Sequence, residues 1–384
     1  MESKVPQSDP NVPFPLTRPY FDQEELDEIG KVLDSGWVSQ GPKVREFEER
    51  VCDYTGAKHA IAVANCTTAL HVSLLALGIK AGDEVIVSDY TFPATGHAVM
   101  YCGARPVFAD VRMDTYNIDP ELLRKKITKR TKAIIPVHAF GLPCDMDALD
   151  EVAEEHRIKV VEDAACAFGG KWKGKYAGTM GGVGCYSFHA RKGLTTGEGG
   201  MVVTGDAKLA EKMRGYSVFG MTTAWAREKG RGFQIPRFTY LGFNYKLSDI
   251  AAAVGIVQLR RLDKVLRKKR ALARYWNEKL EKIPGITPPT ENRGAFHVYQ
   301  SYVAVLDKGL KRDRLIERLK PMGVQAQIGT YASHIQPVYH SKDKCPISLE
   351  LFKRAIALPH YYAMSESDID KAAARLREAM RGSR

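Results

Sequence analysis

Val160-Val161-Glu162-Asp163-Ala164-Ala165-Cys166 decides the fold. A short apolar run ends on acids and is followed at once by small residues. Strands buried on both faces of a parallel sheet have this composition. An acid at the carboxyl end of such a strand sits where an open α/β sheet presents its ligand groups. The same pattern recurs on the amino-terminal side. Glu84-Val85-Ile86-Val87, Pro106-Val107-Phe108-Ala109 and Lys132-Ala133-Ile134-Ile135-Pro136-Val137 read as strands. Helical patterns at Ala94 to Tyr101, Pro120 to Lys126 and Met146 to His156 alternate with them. Gly184 to Phe188 and Gly200 to Thr204 add two further strands. This alternation predicts a mainly parallel sheet covered by helices on both faces.

Upstream, a helix is expected from Gln23 to Leu33, stopped by Ser35-Gly36, and another from Pro42 to Gly56. From Ser248 the character changes. A near-continuous helical pattern with a bend runs from Ser248 to Ile283. It precedes a strand at Ser301 to Leu306, a helix at Arg312 to Leu319, a short strand at Arg354 to Leu358, and a closing helix from Ser367 to Arg381 with Ser367 as its cap. The expected organisation is a loose tail over residues 1–14, a large α/β domain over 15–247 and a smaller α/β domain over 248–384.

Chemistry concentrates in three places. Ser187-Phe188-His189-Ala190-Arg191-Lys192-Gly193-Leu194-Thr195-Thr196-Gly197-Glu198-Gly199-Gly200 sets Lys192 in a polar, Gly-rich loop. That is a poor setting for a packing residue and a good one for a lysine that forms and breaks a Schiff base. Such an amine needs a desolvated pocket or a cationic neighbour to lower its pKa. Asp163 is the buried acid at the strand end. Lysine and aspartate together are what pyridoxal phosphate uses: the amine holds the aldehyde, and the carboxylate keeps the pyridine nitrogen protonated. The third place is Asn65-Cys66-Thr67-Thr68-Ala69-Leu70-His71, which follows the strand pattern His59 to Ala64 and opens an apolar helix. A strand, a tight polar turn and a helix start form a phosphate site, where open amides and the helix dipole favour an anion and Thr67 adds a hydroxyl. Phe92, in Tyr90-Thr91-Phe92-Pro93-Ala94-Thr95, has a flat side chain suited to stacking on a cofactor ring or to packing in the core.

Composition narrows the class. With 384 residues, 44% hydrophobic and 27% charged, the chain is an ordinary globular protein. No apolar run reaches the ~20 residues of a membrane span, and the polar, Pro-rich start has no apolar segment of the signal-peptide kind. A cytoplasmic protein without membrane partners is expected. Seven scattered cysteines with no CxxC indicate neither a disulfide framework nor a metal site. The net charge of +12 is concentrated partly in Arg260 to Arg270, read as the solvated side of a long helix rather than a nucleic-acid face. Gly169-Gly170-Lys171-Trp172-Lys173-Gly174-Lys175 has P-loop spacing, but Tyr176 stands where Ser or Thr must reach magnesium, so a turn between short strands is expected.

On these residues the chain resembles the DegT/DnrJ/StrS family of sugar aminotransferases, of the aspartate-aminotransferase fold (fold type I), from about Pro15 to Arg375. The motifs are Ser35-Gly36-Trp37 with Gln40-Gly41-Pro42, Thr67-Thr68-Ala69-Leu70, Gly82 to Val87, Glu162-Asp163-Ala164-Ala165, Ser187 to Gly200, and Gly242-Phe243-Asn244-Tyr245-Lys246. The resemblance implies that Lys192 carries pyridoxal 5'-phosphate, Asp163 pairs with its ring nitrogen and Phe92 stacks on the ring. It implies that Ser187, Thr67 and the Cys66 backbone hold the phosphate. Asn244 is implied to reach the phosphate of a partner subunit, which makes a homodimer with shared active sites. Cys66 replaces a residue that is usually Gly, and Cys166 stands where His or Gln is common, close to the ring hydroxyl. Lys246 replaces Arg and keeps the charge without the fork. The family's dehydratase branch carries His in place of Lys192, so the intact lysine favours amination. The implied reaction converts a keto sugar, nucleotide-linked and ketonised at C3 or C4, to an amino sugar for polysaccharide or secondary-metabolite synthesis, with glutamate as donor. Trp37, Arg237 and His334 are candidate substrate contacts. A sugar dehydratase or lyase, or a non-catalytic regulator on the same fold, are the alternatives.

Overall fold

The computed structural model describes residues 12–221 and 235–381. The expected tail through residue 11 and most of the Arg-, Lys- and Gly-rich stretch from Arg227 to Arg237 lie outside them.

A seven-stranded sheet forms the centre. Its spatial order is His59–Val63, Gly200–Thr204, Val183–Ser187, Lys159–Asp163, Thr131–Ile135, Glu84–Ser88 and Arg105–Ala109. The last five run parallel to one another, and Gly200–Thr204 is antiparallel to both neighbours. The strands are buried almost throughout, as their unbroken apolar composition requires. Helices Cys66–Ala76, Ala94–Tyr101 and Ala207–Ser217 cover one side, with Leu70, Leu74, Val99 and Met213 packed on Val85, Val87 and Val202. Helices Pro42–Thr55 and Asp249–Leu280 cover Ala60, Tyr186 and Val203, while Met146–His156 packs over Ile86 and Ile134.

A smaller antiparallel sheet has the order Ile286–Thr287, Tyr302–Leu306, Ala355–Leu358, Gln327–Ile328. Its core joins Trp276, Leu280, Tyr302, Leu315 and Leu376. Trp276 is fully buried, and its indole N–H donates to the Pro359 carbonyl at 3.0 Å. The 32-residue helix Asp249–Leu280 is continuous. Its first half packs in the large core through Ala252, Ile256 and Leu262, and its last turns pack in the small one through Leu272, Ala273 and Trp276. Packing therefore changes hands partway along this helix rather than at its start.

Asp249 explains a motif that sequence spacing alone left unexplained. Its carboxylate accepts the backbone N–H groups of Gly41 (2.7 Å), Lys43 (3.0 Å) and Val44 (3.0 Å). The helix Pro42–Thr55 is thus capped by a residue 208 positions away. Gly41 is needed because a Cβ there would lie 2.8 Å from the Asp249 carboxylate.

The basic run is less solvated than expected. Arg261 pairs with Asp22 and Glu25, both at 2.7 Å, Arg270 pairs with Glu291 at 2.6 Å, and Lys269 is buried. The closing helix is Glu366–Met380, and its cap is Ser365, not Ser367. Ser365 forms a capping box with Asp368, since its hydroxyl is one residue ahead of the first helical turn. The P-loop-like stretch is a hairpin: Lys171–Trp172 pairs with Lys175–Tyr176, and Lys173 and Gly174 take φ values of 47° and 85°.

Candidate active site

The carboxyl ends of the parallel strands converge on a cavity of about 510 Å³. Asp163 ends one strand and Ser187 the next, and both line this space. Lys192 follows Ser187 on the loop that returns through Gly200 to the antiparallel strand. Across it, Val63 leads into Asn65 and the helix Cys66–Ala76.

That helix start is built for an anion. Asn65 Oδ1 accepts the Thr68 N–H at 2.9 Å, and Thr68 Oγ1 accepts the Asn65 N–H at 3.3 Å. The capping box consumes the third amide and leaves those of Cys66 and Thr67, the first two of the helix, toward the cavity both residues line. Gly200 lets the turn sit this close, because a Cβ there would meet the Asn65 carbonyl carbon at 2.4 Å and the Cys66 nitrogen at 2.7 Å. The Cys66 side chain is buried, and burial pushes its thiol well above the ordinary range.

Asp163 is buried, and both its oxygens are engaged. Oδ2 accepts the Thr95 hydroxyl at 2.7 Å, and Oδ1 accepts the Ala165 N–H at 3.1 Å. Burial raises its pKa, opposed by these two hydrogen bonds, by Lys192 and by His138, and the net result lies above the usual carboxylate value. Lys192 Nζ donates to Cys166 Sγ at 3.2 Å. Burial pushes the Lys192 ammonium down, but Cys166, Cys66 and Asp163 act the other way, and its pKa stands above the ordinary lysine value. The depressed pKa expected for a nucleophilic lysine is therefore absent here. A cation set against the Asp163 carboxylate would cancel part of that field and let desolvation lower the amine.

Glu162, the neighbour of Asp163, faces the other way. Its carboxylate accepts from His138 Nε2 (2.9 Å) and from the N–H groups of Gly178 (2.6 Å), Met180 (2.7 Å) and Gly181 (2.5 Å). Strand alternation separates the two acids: one serves the cavity, the other anchors the 178–181 turn.

Other expected residues divide. Phe92 lines the cavity at its mouth, 64% exposed, with its ring edge-on to Tyr331 at 6.1 Å. Cys166 lines it as well. Trp37, 60% exposed, does not, and neither does the exposed Arg237. His334 also lies outside the lining. Its Nδ1 is 2.7 Å from Asp89 Oδ2, and its backbone N–H donates to Asp89 Oδ1 at 2.6 Å, so the structure gives it a bracing role between the segments Tyr90–Thr91 and Tyr331–Ala332. Asn244 is exposed, bridges to Val218 and is not part of its own chain's cavity.

Residues missed by sequence reasoning also line the space: Thr95, Arg191, Gln300, Ser301 and Thr330. Thr95 stood in a stretch already singled out for Phe92, three residues on and second in the helix Ala94–Tyr101. Arg191 stood in the quoted Lys192 loop, immediately before the lysine, while Gln300, Ser301 and Thr330 carry no local signal. Gln300 and Ser301 arrive from the small sheet, just after Tyr299, which holds a left-handed φ of 47°.

An amine, a carboxylate, open helix amides and a serine hydroxyl around one space fit pyridoxal phosphate by donor chemistry and by size. Fold and site together define a pyridoxal-phosphate-dependent transferase of fold type I. The model of the DegT/DnrJ/EryC1/StrS aminotransferase family matches residues 19–377, and the chain belongs to that family. Spore coat polysaccharide biosynthesis protein SpsC of Bacillus subtilis is 38% identical over 382 residues, covering 96% of this chain and 97% of that protein. GDP-perosamine synthase of Caulobacter vibrioides is 39% identical over 371 residues, covering 95% and 98%. The pyridoxal-phosphate form of a sugar aminotransferase described as putative, Spr1654 from Streptococcus pneumoniae, superposes with a TM-score of 0.89 at 26% identity over 97% of this chain and 100% of that one. The chain is a pyridoxal-phosphate-dependent aminotransferase. Among the described residues no helix is long and apolar enough to cross a membrane.

Proposed function

We propose that this enzyme aminates a nucleotide-linked keto sugar at C3 or C4, with glutamate as donor, in the cytoplasm, as a homodimer with shared active sites. The observation that carries the reading is the meeting of Lys192 and Asp163 in one cavity whose floor is the open start of the helix Cys66–Ala76. GDP-perosamine synthase, 39% identical, supports a sugar nucleotide as the acceptor.

When bound, pyridoxal phosphate supplies an aldehyde that carries the amino group and a ring that accepts electron density. Cys66 and Thr67 amides, the Thr67 side chain and Ser187 would hold its phosphate. Asp163, pinned by Thr95 and Ala165, would hold its ring nitrogen. Phe92 would cover the ring at the mouth. Lys192 Nζ would hold the group and would move a proton on and off the donor carbon as general acid and base. Cys166 Sγ, 3.2 Å from that amine, orients it.

Two features support a shared site. Asn244 is exposed and does not line its own cavity, so a phosphate contact from it requires another subunit. Exposed apolar side chains also lie near Asn244 in the chain or through backbone pairing, among them Phe219, Phe238 and Leu241, and exposed apolar surface is expected at an obligate interface.

The test is a screen of keto sugar nucleotides with glutamate, read by mass spectrometry. Amination of a sugar nucleotide, with stoichiometric 2-oxoglutarate, is the expected result. Release of water without nitrogen gain would instead favour the dehydratase reading.

A further inference from the structure

A second cavity, about 60 Å³, adjoins the first, and Arg191, Gln300 and Ser301 line both. Thr17, Gln327 and His360 complete its polar wall, and no Asp or Glu lines it. The Arg191 guanidinium makes one long contact, 3.5 Å to Gln327 Oε1, and has no ion pair among the described residues. Its backbone is held firmly. Gln300 Nε2 donates to the Arg191 carbonyl at 2.9 Å, and Lys269 Nζ donates to the Gln300 carbonyl at 3.1 Å. Lys269 is only 5% exposed. Tyr299 adopts its left-handed φ, a conformation strained for a non-glycine residue. It is kept there by its N–H bond to His297 Nδ1 at 3.0 Å and by stacking on that ring. This bend delivers Gln300 and Ser301 beside Arg191.

His360 supplies the independent sign of a missing ligand. It is 2% exposed, and neither ring nitrogen has a partner among the described residues. A buried polar ring without a partner, beside a cavity, calls for a polar occupant. An arginine with no ion pair among the described residues, an imidazole and two amides, with no acid among the lining residues, select an anion. Size selects further: a water's share of liquid volume is about 30 Å³. The space has room for a small anionic group such as a carboxylate.

We propose that this annex binds a carboxylate of the amino donor, with Arg191 as its bidentate clamp. The proposal rests on the reading of the enzyme as one that takes an amino acid donor. Arg191 follows Ala190 and immediately precedes Lys192, so a carboxylate fixed by its guanidinium is tied to the loop that carries the reacting amine. The bound group would be either the carboxylate beside the donor amine or the one at the far end of glutamate.

The experiment follows each half-reaction of the holoenzyme separately, by the absorbance of its cofactor. In Arg191→Gln the half-saturating glutamate concentration should rise about 10–100-fold, the equivalent of one charge-assisted bidentate contact. The half-reaction with the keto sugar should keep its half-saturating concentration. Arg191→Lys should recover part of the loss. Glutamine, which lacks the far carboxylate, separates the two sources: an equal loss for both donors assigns the clamp to the near carboxylate, and a loss for glutamate alone assigns it to the far one. An unchanged glutamate requirement in Arg191→Gln overturns the proposal, as does a loss confined to the sugar half-reaction. Failure of the wild-type enzyme to react with any amino acid would instead remove the donor reading on which this rests.

Discussion

Thr95 Oγ1 donates a 2.7 Å hydrogen bond to Asp163 Oδ2 across 68 positions of sequence. It ties the start of the helix Ala94–Tyr101 to the end of the strand Lys159–Asp163 and leaves the carboxylate one fixed orientation. Thr95→Val keeps the shape and removes the donor. A lost bond to a charged group costs about 1.5–3 kcal/mol. The variant should retain pyridoxal phosphate, seen in its absorbance, while turnover falls about 10–100-fold. Full activity in Thr95→Val would show that Asp163 needs no such brace.

Removing the carboxylate should be worse than loosening it. Asp163→Ala is expected to accept pyridoxal phosphate through Lys192 and the phosphate turn yet transaminate poorly. Cofactor stoichiometry and kcat, measured together, check both halves. Near-normal kcat would move the ring-nitrogen role to another residue.

Lys192→Ala should lose about 10²–10⁴-fold or more in turnover, because the proton shift then lacks its positioned acid and base. Borohydride treatment of the wild-type holoenzyme should fix the cofactor on the peptide carrying Lys192. Labelling of a different lysine would reassign the attachment.

Subunit sharing is tested by mixing two inactive variants, Lys192→Ala and Asn244→Asp. The second sets a carboxylate against the phosphate, a like-charge contact that weakens cofactor binding. A mixed dimer would carry both lesions in one site and neither in the other, so activity should return after exchange. Exchange demonstrated by mass, with activity still absent, would place Asn244 in its own subunit.

Lys269 makes stability depend on pH. Burial lowers its pKa from the ordinary 10.5 to about 7. Between these values the unfolded chain holds a proton that the folded chain does not, so stability from this group rises as pH rises from 7 toward 10. The slope is at most about 1.4 kcal/mol per pH unit. Denaturant unfolding of wild type and Lys269→Met at pH 7 and pH 9 should show wild type gaining on the variant at the higher pH. A constant difference would mean that Lys269 is not desolvated.

Most elements were legible because their cause is local. Runs such as Thr131–Ile135 and Met146–His156 carry their own periodicity, and Gly36 and Gly56, in left-handed conformations at φ 72° and 77°, end helices where glycine costs least. Short pairings such as Tyr90–Thr91 with Tyr331–Ala332 were not legible, since two residues have no period and the partner is remote. The cap of the last helix was misplaced by two residues because Ser365 and Ser367 both suit the position, and only backbone geometry chooses.

By itself the sequence determined which side chains stand at strand ends and helix starts. Asp163, Ser187, Thr67 and Lys192 reach one cavity because parallel strands share a direction, and their carboxyl ends must then share an edge. Tertiary structure alone decided what surrounds them. Asp249 caps a helix 208 positions away, Thr95 braces Asp163, His334 turns its Nδ1 to Asp89, and Arg191 meets Gln300 over a second small cavity. Those contacts depend on register and on the packing of one layer over another, which no local periodicity encodes. The charge on Lys192 was decided in the same way: desolvation alone would lower it, and the proximity of Asp163 and two sulfurs, brought together only by folding, raises it.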